Sequence, residues 1–167
     1  MTTVQTLRAV LPADPSWLRV ALSELGTAEL PGAKHNPRII AYHASTRLAA
    51  KTDETPWCSS FANWVMIEAG YTATRSAAAS SWLSYGIRTR GRRGTIVVLS
   101  RPGGHHVGFV AGMTRTHVWI LGGNQGNAVS IAPYSLARVL QFRAPDLNAI
   151  RPEDRAWLAL ASSPDIV

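Results

Sequence analysis

The pattern of apolar and polar positions changes from a helical to an alternating period about halfway along the chain. In the first half, apolar residues recur three or four positions apart over residues 17–25 and again over residues 61–69, and a glycine follows each segment. This spacing is typical of helices buried on one side, which glycine commonly ends. Shorter helices are expected over residues 38–43 and 76–85.

The second half is dominated by short runs of β-branched and aromatic residues between turn residues, and five runs stand out: 95–99, 107–110, 118–121, 128–131 and 139–142. Their spacing predicts an antiparallel meander. Helices first and strands afterwards predict an α+β domain, with the N-terminal helices packed on one side of a roughly five-stranded antiparallel sheet. A last helix through residue 160 is expected as an accessory element on the surface.

The length allows one well-packed domain, because 167 residues with 46% hydrophobic content are too few for two ordinary ones. We predict a single domain over residues 1–167, with a core from about 14 to 145 and an accessory segment over 146–167. The N-terminus has no apolar signal-peptide region, and the sequence has no run of about 18 apolar residues. We therefore expect a protein made in the cytoplasm without a classical export signal and without a membrane span.

The charge balance favours polyanionic partners. The chain has 17 lysines and arginines against 10 acidic residues, a net charge of +7. Nucleic acid, anionic membrane and anionic wall polymer all fit this balance, so charge alone does not choose among them. Part of the charge lies in an arginine cluster that is more typical of a solvated loop than of a docking site: Arg88, Arg90, Arg92, Arg93 and Arg101.

The single cysteine, Cys58, is the first candidate for chemistry. A chain with one cysteine has neither an intramolecular disulfide nor a cysteine-rich zinc site. We also expect no metal or other cofactor. Cys58 opens the predicted helix, where unpaired N–H groups and the helix dipole would hold the thiol pKa below its usual value. Thr55 or Asp53 would cap this helix, with Pro56 at its opening position. The alternative is a small apolar residue in the core.

The second candidate is a histidine at the start of the predicted strand that follows Gly103-Gly104. A base there could take the proton of the Cys58 thiol. His106 is favoured over His105, because alternation along the strand turns His105 to the face of Val107 and Phe109 and His106 to the opposite face, which Asn124 would share. If the next hairpin is centred on Arg115, His106 lies opposite Asn124, whose amide oxygen would fix the ring tautomer.

The hairpin register leaves the orienting residue open. The register above requires an odd-length loop or a bulge, which Gly122-Gly123 would supply. A four-residue loop places Gly123 opposite His106 instead and turns Asn124 away, so whether Asn124 or Gln125 orients the ring is not decided. Trp57 fits either a substrate groove or the core. The candidates for substrate contact are Trp57, Ser59, His105 and Gln125.

Three segments in this order resemble the NlpC-type cysteine peptidases and their CHAP relatives, and more closely a phage- and prophage-associated branch: residues 53–58, 104–109 and 121–125. The resemblance covers about residues 17–143. It implies a papain-like fold in which Cys58 is the nucleophile, His106 the general base and Asn124 the orienting residue. Many CHAP members have an acidic residue two positions before the asparagine, where this chain has Gly122.

The resemblance also implies a function. Family members cut amide bonds of bacterial peptidoglycan, within the stem peptide or between muramic acid and L-alanine, and we expect a thioacyl-enzyme on Cys58. The basic surface would hold anionic wall polymer, the protein would reach the wall through phage lysis or specialised secretion, and a monomer is expected. Nucleic acid is not the expected partner. The alternatives are a basic binding module for nucleic acid or wall polymer, and a thiol acyltransferase or deamidase of the same fold.

Overall fold

The computed structural model describes residues 3–162, which contain five α-helices and six β-strands. The helices are α1 Thr3–Arg8, α2 Ser16–Ser23, α3 Pro37–Ala44, α4 Cys58–Glu68 and α5 Arg155–Ser162. The strands are β1 Ile87–Thr89, β2 Ile96–Arg101, β3 Gly104–Met113, β4 His117–Gly122, β5 Ser130–Ser135 and β6 Val139–Ala144. The segment Ala79–Ser84, expected as a helix, forms a 3-10 helix.

The strands form one antiparallel sheet in the order β1-β6-β2-β3-β4-β5. The predicted α+β class is confirmed. Only β2 to β5 form the expected meander, because β6 returns to pair with β2 on the other side. The sequence pattern missed β1, which has three residues and pairs with β6.

The helices cover one face of the sheet, and α4 lies closest to it. Phe61 and Val65 of α4 are fully buried in the same cluster as Val107 and Phe109 of β3. Burying side chains of this size contributes about 1.5–3 kcal/mol each. The other face carries a smaller apolar cluster made by the sheet alone: Val97, Leu99, Val110, Val118 and Ile120.

The C-terminal helix belongs to the main core and is not an accessory element. The Trp157 ring is buried against Trp17, with ring centroids 5.0 Å apart, and its Nε1 donates to the Arg93 carbonyl at 2.8 Å. Just before α5, the buried Asp154 carboxylate accepts hydrogen bonds from the backbone and hydroxyl of Ser16. The expectation of an accessory segment over 146–167 is thus wrong for the packed part, and residues 163–167 lie outside the described residues.

Two arginines of the predicted solvated cluster are part of the packing. Arg93 forms an ion pair with Asp14 at 2.7 Å and donates to the Leu7, Ala9 and Ala111 carbonyls. The Arg92 guanidinium lies 3.8 Å from the centre of the Trp157 ring. These residues bind the N- and C-terminal segments to the sheet.

Candidate active site

The backbone before Cys58 is anchored through a buried carboxylate. Asp53 is fully buried and accepts hydrogen bonds from the Leu30 and Asn36 N–H groups at 2.9 Å each, and its other oxygen lies 3.1 Å from His35 Nδ1. These backbone bonds lower the pKa of Asp53 to about 2. Asp53 is therefore not the helix cap that the sequence suggested, and it ties the chain before Cys58 to the loop before α3.

The first turn of α4 holds the sulfur without a side-chain cap. Trp57 occupies the N-cap position with φ −128° and ψ 15°. Thr55 bonds to Thr52 instead of capping the helix, so that expectation is also wrong. The N–H groups of the first turn remain directed at the region of the thiol.

The Cys58 thiol is only 5% exposed, and this decides the direction of its pKa. Burial raises the pKa of Cys58, while the Val107 N–H, the positive charge of Arg101 and the N–H groups of the first turn of α4 act in the opposite direction. The expectation of a lowered thiol pKa is therefore wrong. It considered the helix terminus alone, whereas β3 covers the sulfur.

His106 is held by Gln125, and the amide shows which ring nitrogen carries the proton. The Gln125 Nε2 donates to the Ile120 carbonyl at 3.0 Å and the Ser130 carbonyl at 2.8 Å. Because carbonyl oxygens only accept, the amide oxygen must face His106, where Oε1 lies 2.9 Å from Nε2. The ring nitrogen Nε2 is thus the donor, and Nδ1 of the neutral ring is free to accept a proton.

The ring is buried, which keeps it neutral. His106 is 4% exposed, and this burial lowers its pKa, while the hydrogen bond to Gln125 raises it. A neutral imidazole with an accepting Nδ1 has the form that a general base needs.

Asn124 is not the residue in contact with His106, and the correction has a geometric cause. Phe109 pairs with Leu121 in the register expected for a hairpin centred on Arg115, with the bulge between Val110 and Gly112. However, β4 ends at Gly122, and Asn124 adopts a left-handed conformation with φ 55°. The chain therefore leaves the sheet before Asn124 can face the ring.

Tyr134 of β5 packs against the ring of His106. Its ring centroid lies 5.5 Å from that of His106 at an angle of 32°, and Arg138 lies 5.3 Å from the Tyr134 ring. Tyr134 is also close enough to Cys58 for their charges to interact. Cys58 and His106 thus share neighbours in Arg101 and Tyr134, although the hydrogen bond of the ring goes to Gln125 and not to the thiol.

Three of the four residues expected to contact substrate are buried, and two of them, Trp57 and Ser59, lie in the core. Trp57 is fully buried, and its Nε1 donates to Glu29 at 2.9 Å. Ser59 is also fully buried, and its hydroxyl donates to the Ser76 carbonyl at 2.7 Å and accepts from Trp82 at 2.9 Å. Both predictions are wrong, because these side chains point into the core.

The other two residues have different positions. Gln125 is buried, and its side chain bonds to the His106 ring. His105 is half-buried in the wall of a cavity of about 270 Å³ that also exposes Cys58 and Arg101. Its contact with substrate stays a prediction. The sequence offered no signal for Tyr134, and Arg101 was only one member of the arginine cluster.

The described residues show neither a metal centre nor a membrane span. Over residues 3–162, no group of three or more His, Cys, Asp or Glu side chains could hold a metal ion. None of the helices in this range is long and apolar enough to cross a membrane.

Comparison with known proteins gives one positive result. No curated protein matches the chain. The model of the CHAP domain matches residues 50–124, a segment that contains Cys58 and His106 and ends one residue before Gln125. CHAP domains are typically cysteine- and histidine-dependent amidases or peptidases, so the match suggests a peptidoglycan hydrolase or a related amidase or peptidase activity. The match, the α+β fold and the positions of Cys58 and His106 together support similarity of this chain to the CHAP and NlpC-type superfamily.

Proposed function

We propose that the protein hydrolyses an amide bond of bacterial peptidoglycan, with Cys58 as the nucleophile, His106 as the general base and Gln125 as the residue that orients the base. The observation that carries the proposal is the contact between the His106 ring and the Gln125 amide oxygen, which fixes the position of the ring proton. Gln125 holds it on Nε2, which leaves Nδ1 as an acceptor within the segment that matches the CHAP domain.

The two pKa directions define the first step. Burial raises the pKa of Cys58 and lowers that of His106, so both groups are neutral at rest. The thiol proton therefore moves to Nδ1 as the sulfur attacks the scissile carbonyl, and the imidazolium that forms is stabilised by its Nε2–H bond to Gln125. The N–H of Cys58 is a donor for the oxyanion.

The remaining steps return the site to its resting form. The C–N bond breaks, His106 gives its proton to the leaving amine, and a thioacyl-enzyme remains on Cys58. Water then attacks the thioester while His106 takes its proton, and a carboxylate leaves as the thiol is restored. The substrate bond is either within the stem peptide or between muramic acid and L-alanine.

The basic character of the chain supports an anionic wall as its surroundings. The net charge is +7, and the exposed Arg101 lies in the wall of the cavity beside Cys58. We propose that the protein acts at the cell wall, which it reaches through phage lysis or specialised secretion.

The test compares purified peptidoglycan treated with the wild-type protein and with Cys58→Ala. The wild-type protein should release new amino groups, and mass spectrometry of the products should show a stem-peptide cut or a cut at the lactyl group of muramic acid. Cys58→Ala should remain folded and bound but release none. Arg115→Gln, a change in the distant β3–β4 hairpin, is the matched control and should keep full activity. Unchanged release by Cys58→Ala would rule out the proposal.

A basic binding module is the second candidate, because Cys58 is nearly inaccessible and its pKa is raised. Such a module would bind the wall without turnover. Binding by the wild-type protein with no released amino groups would favour this second function.

A further inference from the structure

The cavity at Cys58 continues into a longer groove. The residues Ala77 and Ala78 line both this cavity and a second one of about 470 Å³, which also contains Arg47, Leu48 and Arg75. The second cavity shares Arg47 and Ser76 with a third one of about 460 Å³. Because each cavity shares lining residues with the next, the three lie side by side along the loop of residues 72–78 and are together called the groove. The hydrolytic mechanism uses only its first part.

The loop that forms this groove is held by the helix that carries Cys58. The Asn63 Oδ1 accepts a hydrogen bond from the Arg75 N–H at 2.6 Å, and the Asn63 Nδ2 donates to the Ser76 carbonyl at 3.1 Å. Ser59 donates to the same carbonyl. The two buried side chains of α4 thus determine where the loop lies relative to the sulfur.

Arg75 is held in an unusual backbone conformation. Its φ is +61°, in the left-handed region that non-glycine residues rarely occupy. The Arg75 carbonyl accepts a hydrogen bond from the Arg47 N–H at 2.8 Å, which fixes the two arginines next to each other. Strain of this kind often marks a binding site, where the surrounding structure maintains it.

The two arginines have no carboxylate partner among the described residues. Both are exposed, and the ion pairs of residues 3–162 do not include them. The groove has a further cation, Arg101, at the Cys58 end and one acid, Asp146, in its third part. Its middle part is therefore positively charged and also lined by the small or apolar Ala77, Ala78 and Leu48.

We propose that Arg47 and Arg75 form an anion subsite that binds a carboxylate of the peptide whose amide bond is cut at Cys58. This inference rests on the proposed function and names the substrate class of the same site. A peptide fits better than a polyphosphate polymer, because apolar residues line the groove between the arginines and Cys58. These residues are Leu48, Ala77 and Ala78. Ala78 lines the same cavity as Cys58, and Arg75 is three residues before it, at most about 11 Å along the chain. A few peptide residues can span that distance from the subsite to the cavity at Cys58.

The test measures binding, so it does not depend on turnover. In the Cys58→Ala protein, calorimetry would compare the stem tripeptide L-Ala-γ-D-Glu-L-Lys with the same peptide carrying carboxamides in place of its carboxylates. Adding Arg75→Gln or Arg47→Gln should weaken binding of the acidic peptide about ten- to hundredfold, as expected for loss of a charge-assisted hydrogen bond, and leave the amidated peptide unchanged. Adding Arg115→Gln should change neither.

A second substitution at Arg75 and a second anionic probe test the specificity of the subsite. Asparagine tolerates the left-handed conformation of position 75, so Arg75→Asn controls for any disturbance of the loop by glutamine. It should show the same loss of binding as Arg75→Gln. Equal weakening for the acidic and amidated peptides, or binding of poly(glycerol phosphate) in preference to the acidic peptide, would overturn the inference. Selective binding without any wild-type turnover would leave the subsite standing and reject the hydrolytic function instead.

Discussion

The hydrogen bond to the Gln125 amide oxygen places the ring proton of His106 on Nε2. The Gln125 amide is fixed by two carbonyls, and its oxygen has only His106 to face. At the scale of single residues, the site is therefore a thiol and an imidazole whose protonation states are determined by burial and by one amide.

Replacing Gln125 should affect turnover and its pH dependence together. The Gln125 hydrogen bond raises the pKa of His106, so Gln125→Met should lower that pKa further and move the acidic limb of kcat/KM to lower pH. It should also lower kcat about 10–100-fold, because the imidazolium of the transition state loses its partner. Asn124→Gly is the control, since it preserves the left-handed conformation and should change neither quantity. A loss in Asn124→Gly alone would return the orienting role to Asn124.

The reactivity of the Cys58 thiol distinguishes His106 from His105 as its base. Because burial raises the Cys58 pKa, labelling by iodoacetamide should be slow at pH 6 and increase as the pH rises through the thiol pKa. At neutral pH, His106→Ala should slow labelling, because it removes the base, while His105→Ala should not. The opposite result would identify His105, which lines the cavity at Cys58, as the base.

Cys58 and His106 could be proposed as candidates from the sequence, whereas the residue that bonds to the His106 ring could not. A lone cysteine at a helix start and a histidine at a strand start are visible in the pattern. Asn124 was chosen by extending the β3–β4 register, which is correct at Phe109 and Leu121. The end of β4 at Gly122 and the left-handed turn at Asn124 depend on packing against α4, which periodicity does not encode.

At the scale of elements, the first turns of α4 pack closely against the chain that follows β4. A Cβ added at Gly123 would lie 2.7 Å from the Phe61 Cβ and 2.8 Å from the Trp57 ring. This close approach places the Gln125 loop beside the Cys58 helix. The buried Trp57 has its role here, as the surface on which the loop rests.

Gly123→Ala should destabilise the protein and impair the site. Overpacking of this kind costs about 1–3 kcal/mol, which thermal unfolding would measure. Turnover should fall as well, because the displaced loop carries Gln125. Gly104→Ala is the matched control for stability, since its added Cβ would have only the Arg101 Nε at 3.9 Å nearby. Equal stability of the two variants would contradict the close contact.

Element types were more predictable than their arrangement. The alternating runs indicated the five longer strands, because each has residues in an apolar cluster. The run 128–131, however, overlaps β5 only at residues 130 and 131. β1 could not be recognised from three residues in an arginine-rich segment. The pairing of β6 with β2 is a contact between distant parts of the chain, so spacing along the sequence favoured the simpler meander.

At the scale of the whole molecule, Asp154 connects three distant parts of the chain. It accepts hydrogen bonds from Ser16 at the start of α2 and from the Tyr71 hydroxyl after α4. The residue is 1% exposed. The segment expected to be accessory therefore fastens α2 and the loop after α4 to the core.

Asp154→Ala should lower stability throughout the domain. It leaves the half-buried Ser16 N–H and the buried Tyr71 hydroxyl without their acceptor, at a cost of at least about 2 kcal/mol and about 4 °C in Tm. The neighbouring Glu153→Ala removes only the exposed pair with Arg151 and should have little effect. Equal Tm values for the two variants would show that the C-terminal segment does not stabilise the core.

The most direct test of the account is mass mapping of the Cys58 peptide during turnover. The wild-type protein would be mixed with purified peptidoglycan fragments, quenched in acid within the steady state and digested. If Cys58 is the nucleophile, its peptide should carry an added mass equal to the acyl part of the cleaved fragment, and this mass should be absent from the Cys58→Ala protein. Continued release of amino groups with Cys58 unmodified, or with the acyl group on another residue, would contradict it.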